Sequence, residues 1–275
     1  MRYLTCVFSF LAVCCLAGVQ PGPGLLAAES QIKEEFKRDI PLEPGGSISL
    51  ENVLGDVELS GGDGNLVEIQ AVKQIRGRLS SGSDWGVDRK WLKEIEIKIE
   101  QSGNRVEIKT DIPRNKTFWD YFDDLSFRRP AMVVDYRIKL PRRTNVNVKT
   151  VSGKLVIKDL EGEVEAYTVN GEIEMKEVSG ALKAGTVNGS IDIGLREDAG
   201  IKDMDLTTVN GSITLGLPAS AAAEVDLSAV VGTINLEFPV TTQGDVSGKN
   251  IRGKIGGGGP SIKIGTINGN INVKK

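Results

Sequence analysis

The chain of 275 residues contains no histidine. That absence removes the side chain most often used as a general base and as a zinc ligand. Cysteine is nearly missing too. Cys6, Cys14 and Cys15 all lie close to the start, so the rest of the chain can form neither a disulfide nor a thiolate metal site, and burial must carry its stability. Aromatic residues make up only 5% of the chain. After residue 28 no apolar run reaches the roughly 20 residues needed to span a bilayer. Charge of one sign is also lacking: without Arg2 there are 33 basic residues against 37 acidic ones, interspersed, for a net charge near −4. This balance argues against nucleic-acid binding.

What the first residues do contain is Arg2, an apolar run from Tyr3 to Val19, and then Pro21-Gly22-Pro23-Gly24 before Ala27-Ala28. This is the pattern of a secretory signal peptide over residues 1–28, with cleavage after Ala28 and Ala17 as a second candidate. Cys14 follows Val13 and Cys15 follows Cys14. Neither has the small preceding residue that lipidation favours, so lipidation is the lesser option. Export predicts a periplasmic or cell-surface location.

Glycine supplies the organising pattern. Gly153, Gly162, Gly171, Gly180 and Gly189 recur every nine residues, and Thr150-Val151-Ser152-Gly153, Thr168-Val169-Asn170-Gly171 and Thr186-Val187-Asn188-Gly189 repeat every eighteen. After each corner, alternate residues are apolar: Leu155 and Ile157, Ile173 and Met175, Ile191 and Ile193. Such a strand turns every second side chain inward but cannot bury that face alone. Stacking coils at the strand spacing of about 4.8 Å merges the inward faces into one core. The expected fold is therefore all-β, a single-chain β-solenoid or β-helix with coils of roughly 18–22 residues. It adds an N-terminal β-hairpin region and one short helix. Asn170-Gly171, Asn188-Gly189, Asn210-Gly211 and Asn268-Gly269 read as structural turns, because Asn-Gly tolerates positive φ.

In chain order, residues 29–140 form a β-rich N-terminal part and residues 141–275 the regular coils. Asn52-Val53-Leu54-Gly55 is a degenerate early copy of the repeat. The glycines around Asp63 lack a calcium-binding coil's aspartate, since that place holds Leu66, and they read as a turn. A short helix is expected near residues 84–92, capped by Ser83 or Asp84. A hairpin follows, with Ile95, Ile97 and Ile99 before Ser102-Gly103-Asn104 and Val106 and Ile108 after it. Between Pro113 and Pro130 lies an aromatic loop with Trp119 and Tyr121, read first as packing onto the hairpin and second as binding a partner. Gly256–Gly259 lacks the Gly-Lys-Ser/Thr of a phosphate loop and reads as a crossing loop.

The leader, the early strand Gly55-Asp56-Val57-Glu58-Leu59, the break before the Glu/Ile-rich hairpin, Leu140-Pro141 and the repeated Thr-Val-Asn-Gly-x-Ile units together resemble a bacterial family. It is usually called the putative-adhesin domain. The resemblance covers most of Ile40–Lys275 and implies a β-solenoid of undetermined function with no catalytic motif.

The residues suggest a non-enzymatic, adhesin-like or scaffold module of the bacterial envelope. The alternative is a carbohydrate-active β-helix enzyme acting on an envelope or extracellular polysaccharide. No catalytic residue, cofactor or metal ligand is assigned. Coil-length stacking sets Lys154 against Glu172 and Glu165 against Lys183, but puts Glu174 beside Asp192, which reads as two solvated carboxylates rather than a cation site. The ladder Thr150, Thr168, Thr186, Thr208, Thr266 suggests ice binding only faintly, because its threonines sit singly. Towards the C-terminus the outward residues lose their charge, so Thr214, Asn235 and Asn272 are the expected interaction surface. The partner would be an envelope protein or a glycan. Self-association through the C-terminal coil is expected as well, since Val273-Lys274-Lys275 reads as the uncapped end of the stack.

Overall fold

Alternation of buried and outward residues builds the strands. Ile173 and Met175, Ile191 and Ile193, and Ile213 and Leu215 are all sealed from solvent, whereas Asp192 between one such pair is exposed. The computed structural model describes residues 33–76, 92–112, 131–242 and 249–275. The leader at 1–28, all but the end of the helix expected near 84–92, and the aromatic loop 113–130 with Trp119 and Tyr121 lie outside the described residues. Leu92–Glu94 is helical.

The strands run β1 (Lys33–Pro41), β2 (Ser47–Glu51), β3 (Val57–Gly62), β4 (Leu66–Arg76), β5 (Glu96–Ser102), β6 (Arg105–Asp111) and β7 (Ala131–Pro141). Then come β8 (Asn145–Lys149), β9 (Leu155–Lys158), β10 (Val164–Asn170), β11 (Ile173–Val178), β12 (Leu182–Asn188), β13 (Ile191–Leu195), β14 (Met204–Asn210) and β15 (Ile213–Gly216). The chain continues through β16 (Ala223–Val231), β17 (Ile234–Leu236), β18 (Val240–Thr242), β19 (Asn250–Ile255), β20 (Ser261–Asn268) and β21 (Ile271–Lys274).

Two sheets contain them. Sheet I has the order β1-β4-β7-β3-β9-β11-β13-β15-β21-β17, and sheet II the order β18-β19-β16-β20-β14-β12-β10-β8-β2-β6-β5. Each coil gives one strand to each sheet, and coils stack in parallel, with Ile173 on Ile191 and Ile191 on Ile213. Antiparallel strands close sheet II at both ends, with β5 beyond β6 and β19 and β18 beyond β16, and close sheet I at one end, with β4 and β1 beyond β7, while β17 forms its other edge. These pairings occupy backbone groups that would otherwise offer a parallel edge to another chain.

The coils do not stack in chain order throughout. Near the start, β2–β3 lies between β6–β7 and β8–β9. Near the end, β20–β21 lies between β14–β15 and β16–β17. The expectation that Val273-Lys274-Lys275 ends the stack is therefore corrected: the C-terminal coil is internal, and the outermost coil is β16–β17. The reason is chemical. The corner of β16 reads Ala229-Val230-Val231-Gly232 and lacks the threonine and asparagine of the repeat, whereas Thr266 and Asn268 supply both. Lys263 also falls in register between Asp205 and Asp226, which would stand side by side if the coils followed chain order, and like charges on neighbouring strands repel.

Candidate functional site

The corner where sheet II passes into sheet I is built from the repeat itself. Thr168, Thr186, Thr208 and Thr266 stack in register and point inward. Their burial corrects any reading of them as an outward threonine ladder. Thr186 Oγ1 donates to Gly171 O at 3.1 Å, Thr208 Oγ1 to Gly189 O at 2.9 Å, and Thr266 Oγ1 to Gly211 O at 3.0 Å. Each of these three hydroxyls ties one coil to the glycine carbonyl of its neighbour, as a buried hydroxyl needs an acceptor, whereas the equally buried Thr168 Oγ1 makes no such bond.

The asparagines form a second ladder, at the surface. Asn188 Nδ2 donates to Asn170 Oδ1 at 2.8 Å, Asn210 to Asn188 at 2.9 Å, and Asn268 to Asn210 at 2.8 Å. The glycines beside them are needed for space more than for φ. Gly171, Gly189 and Gly211 have no positive φ, but a Cβ on Gly171 would lie 1.9 Å from Gly153 O, and those on Gly189 and Gly211 equally close to the carbonyl one coil away. At Gly269 the approach is the same, 1.9 Å from Gly211 O.

The three residues chosen for the C-terminal surface come together on sheet I. Thr214 is in register with Asn272, and Asn272 with Asn235, so they occupy three neighbouring strands. Asn235 Nδ2 donates to Asn272 Oδ1 at 2.9 Å. A parallel row stands beside them: Asn270 N donates to Ser212 Oγ at 3.2 Å, and Thr233 donates to Asn270 Oδ1 through N and Oγ1 at 3.0 and 3.1 Å. Trp119 and Tyr121 lie outside the described residues.

Sequence reasoning missed one row. Val169, Val187 and Ile267 are exposed aliphatics between the inward threonine and the asparagine, Val209 at the same step of β14 is half-buried, and the exposed Val230 holds that step in β16 between Ala229 and Val231. Their signal was the strict recurrence of an aliphatic residue at an outward position of the Thr-Val-Asn-Gly unit. Around the corner, the last coils therefore carry an aliphatic row, then amides, then hydroxyls and amides, with no ionised side chain among them.

Charge returns in the earlier coils, where it is internally matched. Glu174 is in register with Asp192, yet its carboxylate lies 2.7 Å from Lys154 Nζ and also pairs with Lys176. The hydrogen bond from Lys154, joined by that from Lys176, lowers its pKa to about 2. No group of three or more Cys, Asp or Glu that could hold a metal ion occurs among the described residues. Lys183 likewise bonds Glu165 at 2.7 Å.

The Glu174 arrangement predicts an acid response. An unfolded glutamate titrates near 4.3, so a carboxyl lowered to about 2 contributes stability that is complete above the unfolded value. That contribution is lost as pH falls from there through the folded value. The difference in urea midpoint between the wild type and Glu174→Gln should shrink from pH 6 to pH 2. A difference that does not change over this range would contradict the assignment.

The family model described as Toastrack DUF4097 matches residues 44–274. No curated protein matches the chain. Solved structures similar to it include a putative cell adhesion protein from Clostridium sporogenes, with 18% identity, coverage of 88% of this chain and 99% of that one, and a TM-score of 0.45. Another is a putative adhesin from Bacteroides fragilis, with 13% identity, coverage of 88% and 96%, and a TM-score of 0.42. A third is a putative lipid binding protein from Parabacteroides distasonis, with 15% identity, coverage of 88% and 97%, and a TM-score of 0.31. These are likenesses only; the fold described above stands on this chain's own ladders.

Proposed function

Because the chain belongs to the Toastrack DUF4097 family, whose match spans the coils from β2 to β21, we propose that it is a non-enzymatic binding module of the bacterial envelope, exported by its leader. The uncharged corner of the last coils carries this reading. Short amides and hydroxyls on neighbouring strands offer donors and acceptors at the strand repeat of about 4.8 Å, and the aliphatic row beside them offers apolar contact. Such a surface suits an extended, uncharged, hydroxyl-rich ligand, which favours a neutral glycan of the envelope. The charged coils nearer the N-terminus are less suited, since their carboxylates and ammonium groups already neutralise one another.

The test combines three substitutions, Thr214→Lys, Asn235→Lys and Asn272→Lys. Binding to an array of neutral and acidic envelope polysaccharides should fall at least tenfold for the neutral ligands while the thermal unfolding midpoint holds. Unchanged binding by a folded variant would move the site elsewhere. Release of reducing ends from any arrayed polysaccharide would favour the enzymatic alternative instead. Cell fractionation of the native protein tests its export separately.

A further inference from the structure

The C-terminal coil, Ser261–Lys274, fills a slot whose two walls come from earlier in the chain. β20 pairs with β14 on one side and β16 on the other, and β21 with β15 and β17. The slot recognises this segment in detail. Ser261 N donates to Asp203 Oδ1 at 2.8 Å, Thr266 and Asn268 continue the two corner ladders, and Lys263 separates Asp205 from Asp226. Ile262, Ile264, Ile271 and Val273 are buried in the common core. Direct contact of the two walls would be poor, since Asn210 would face Val231 and Thr208 would face Ala229.

The segment reaches its slot from β19 through Gly256-Gly257-Gly258-Gly259-Pro260. Gly256 and Gly258 have φ of 59° and 78°, a turned backbone that glycine can also straighten. Everything the slot recognises lies within the coil itself, so the coil of another copy presents the same contacts.

We propose that the slot accepts Ser261–Lys274 from a second copy of this chain, giving a dimer by reciprocal coil exchange. It is strand addition in which both partners donate the same element. Within one chain the segment competes at the high effective concentration of a short linker, so exchange is favoured when chains fold together at high concentration. Shortening the connector, which hinders the return within one chain, should favour it further.

The test uses full chains with Cys6, Cys14 and Cys15 changed to serine, bearing either Asp205→Cys or Lys263→Cys. These positions are register partners on adjacent parallel strands, within the range a disulfide can bridge. When the two single variants are refolded together under oxidising conditions, a mixed dimer linked between positions 205 and 263 should form. Its ratio to monomer should rise about tenfold per tenfold increase in protein while monomer dominates. Refolded at high dilution, the double variant should bridge within one chain and remain monomeric. Absence of the mixed dimer while the double variant bridges would overturn the proposal, and so would dimers linked only between like positions. A variant lacking Gly257 and Gly258 gives a second reading without thiols: sedimentation as a dimer is expected, and a monomer would overturn coil exchange.

Discussion

Replacing Gly189 with alanine should destabilise the fold by about 3 kcal/mol or more, the upper end of the cost of overfilling a packed site. The new Cβ would lie 1.9 Å from Gly171 O and 3.3 Å from Glu172 N. Both atoms are backbone, so no flexible side chain can swing aside. Moving Gly171 O would also disturb the bond it accepts from Thr186, and Gly189 N would be pulled from Asn210 O, its partner at 3.0 Å. The strain would therefore pass to coils on both sides. Gly265→Ala is the control, because a Cβ there meets nothing within 4 Å. If both variants shift the urea midpoint equally, close stacking of the glycine carbonyls is not what demands glycine at this corner.

A second large loss is expected at Ile191. Its side chain is 1% exposed and stacks between Ile173 and Ile213, so Ile191→Ala should cost about 2–5 kcal/mol through lost burial and the cavity left behind. Neighbouring coils cannot close that cavity easily, because their spacing is held by hydrogen-bonded ladders on either side. Asp192→Ala, one residue along and facing solvent, should cost within about 0.5 kcal/mol, as is usual for surface changes. Denaturant midpoints decide the matter, and equal losses at the two positions would mean that the strand faces have been assigned the wrong way round.

How much of this was readable in advance depends on what kind of interaction set each feature. Inward and outward positions follow from alternation along one strand, and coil register from the eighteen-residue recurrence, so Ile173 on Ile191 and Lys183 beside Glu165 were both accessible from the residues alone. Alternation does not say which coil is whose neighbour. That information lay in side chains that looked incidental: Ala229 and Val231, which cannot continue the corner ladders, and Lys263, which belongs between two aspartates. The threonines were misleading because a hydroxyl reads as a surface group unless its acceptor is known, and here the acceptor is a backbone carbonyl one coil away. Glycine was expected for its freedom in φ, whereas at Gly171, Gly189 and Gly211 the crowding of the adjacent carbonyl excludes a Cβ. That crowding exists only once the coils are stacked. The candidate surface had a clearer trace, since Thr214, Asn235 and Asn272 occupy the same step of three similar units, and similar units stack in register. Its aliphatic border was overlooked because those residues sit inside the turn motif.

The tucked-in coil also sets a timetable. A chain emerging from its N-terminus makes β14 and β15 first, then β16 through β19, and only afterwards the strands that join these two groups. Until the residues up to Lys274 have emerged, β14 and β16 have no parallel partner in the slot, and the fold must wait with a gap in its middle. Ladders between segments far apart in sequence form slowly, and unpaired strands are vulnerable while they wait. If the proposed export delivers the chain across a membrane in extended form, completion is an event fixed to the arrival of one short segment, rather than a gradual winding that keeps pace with export.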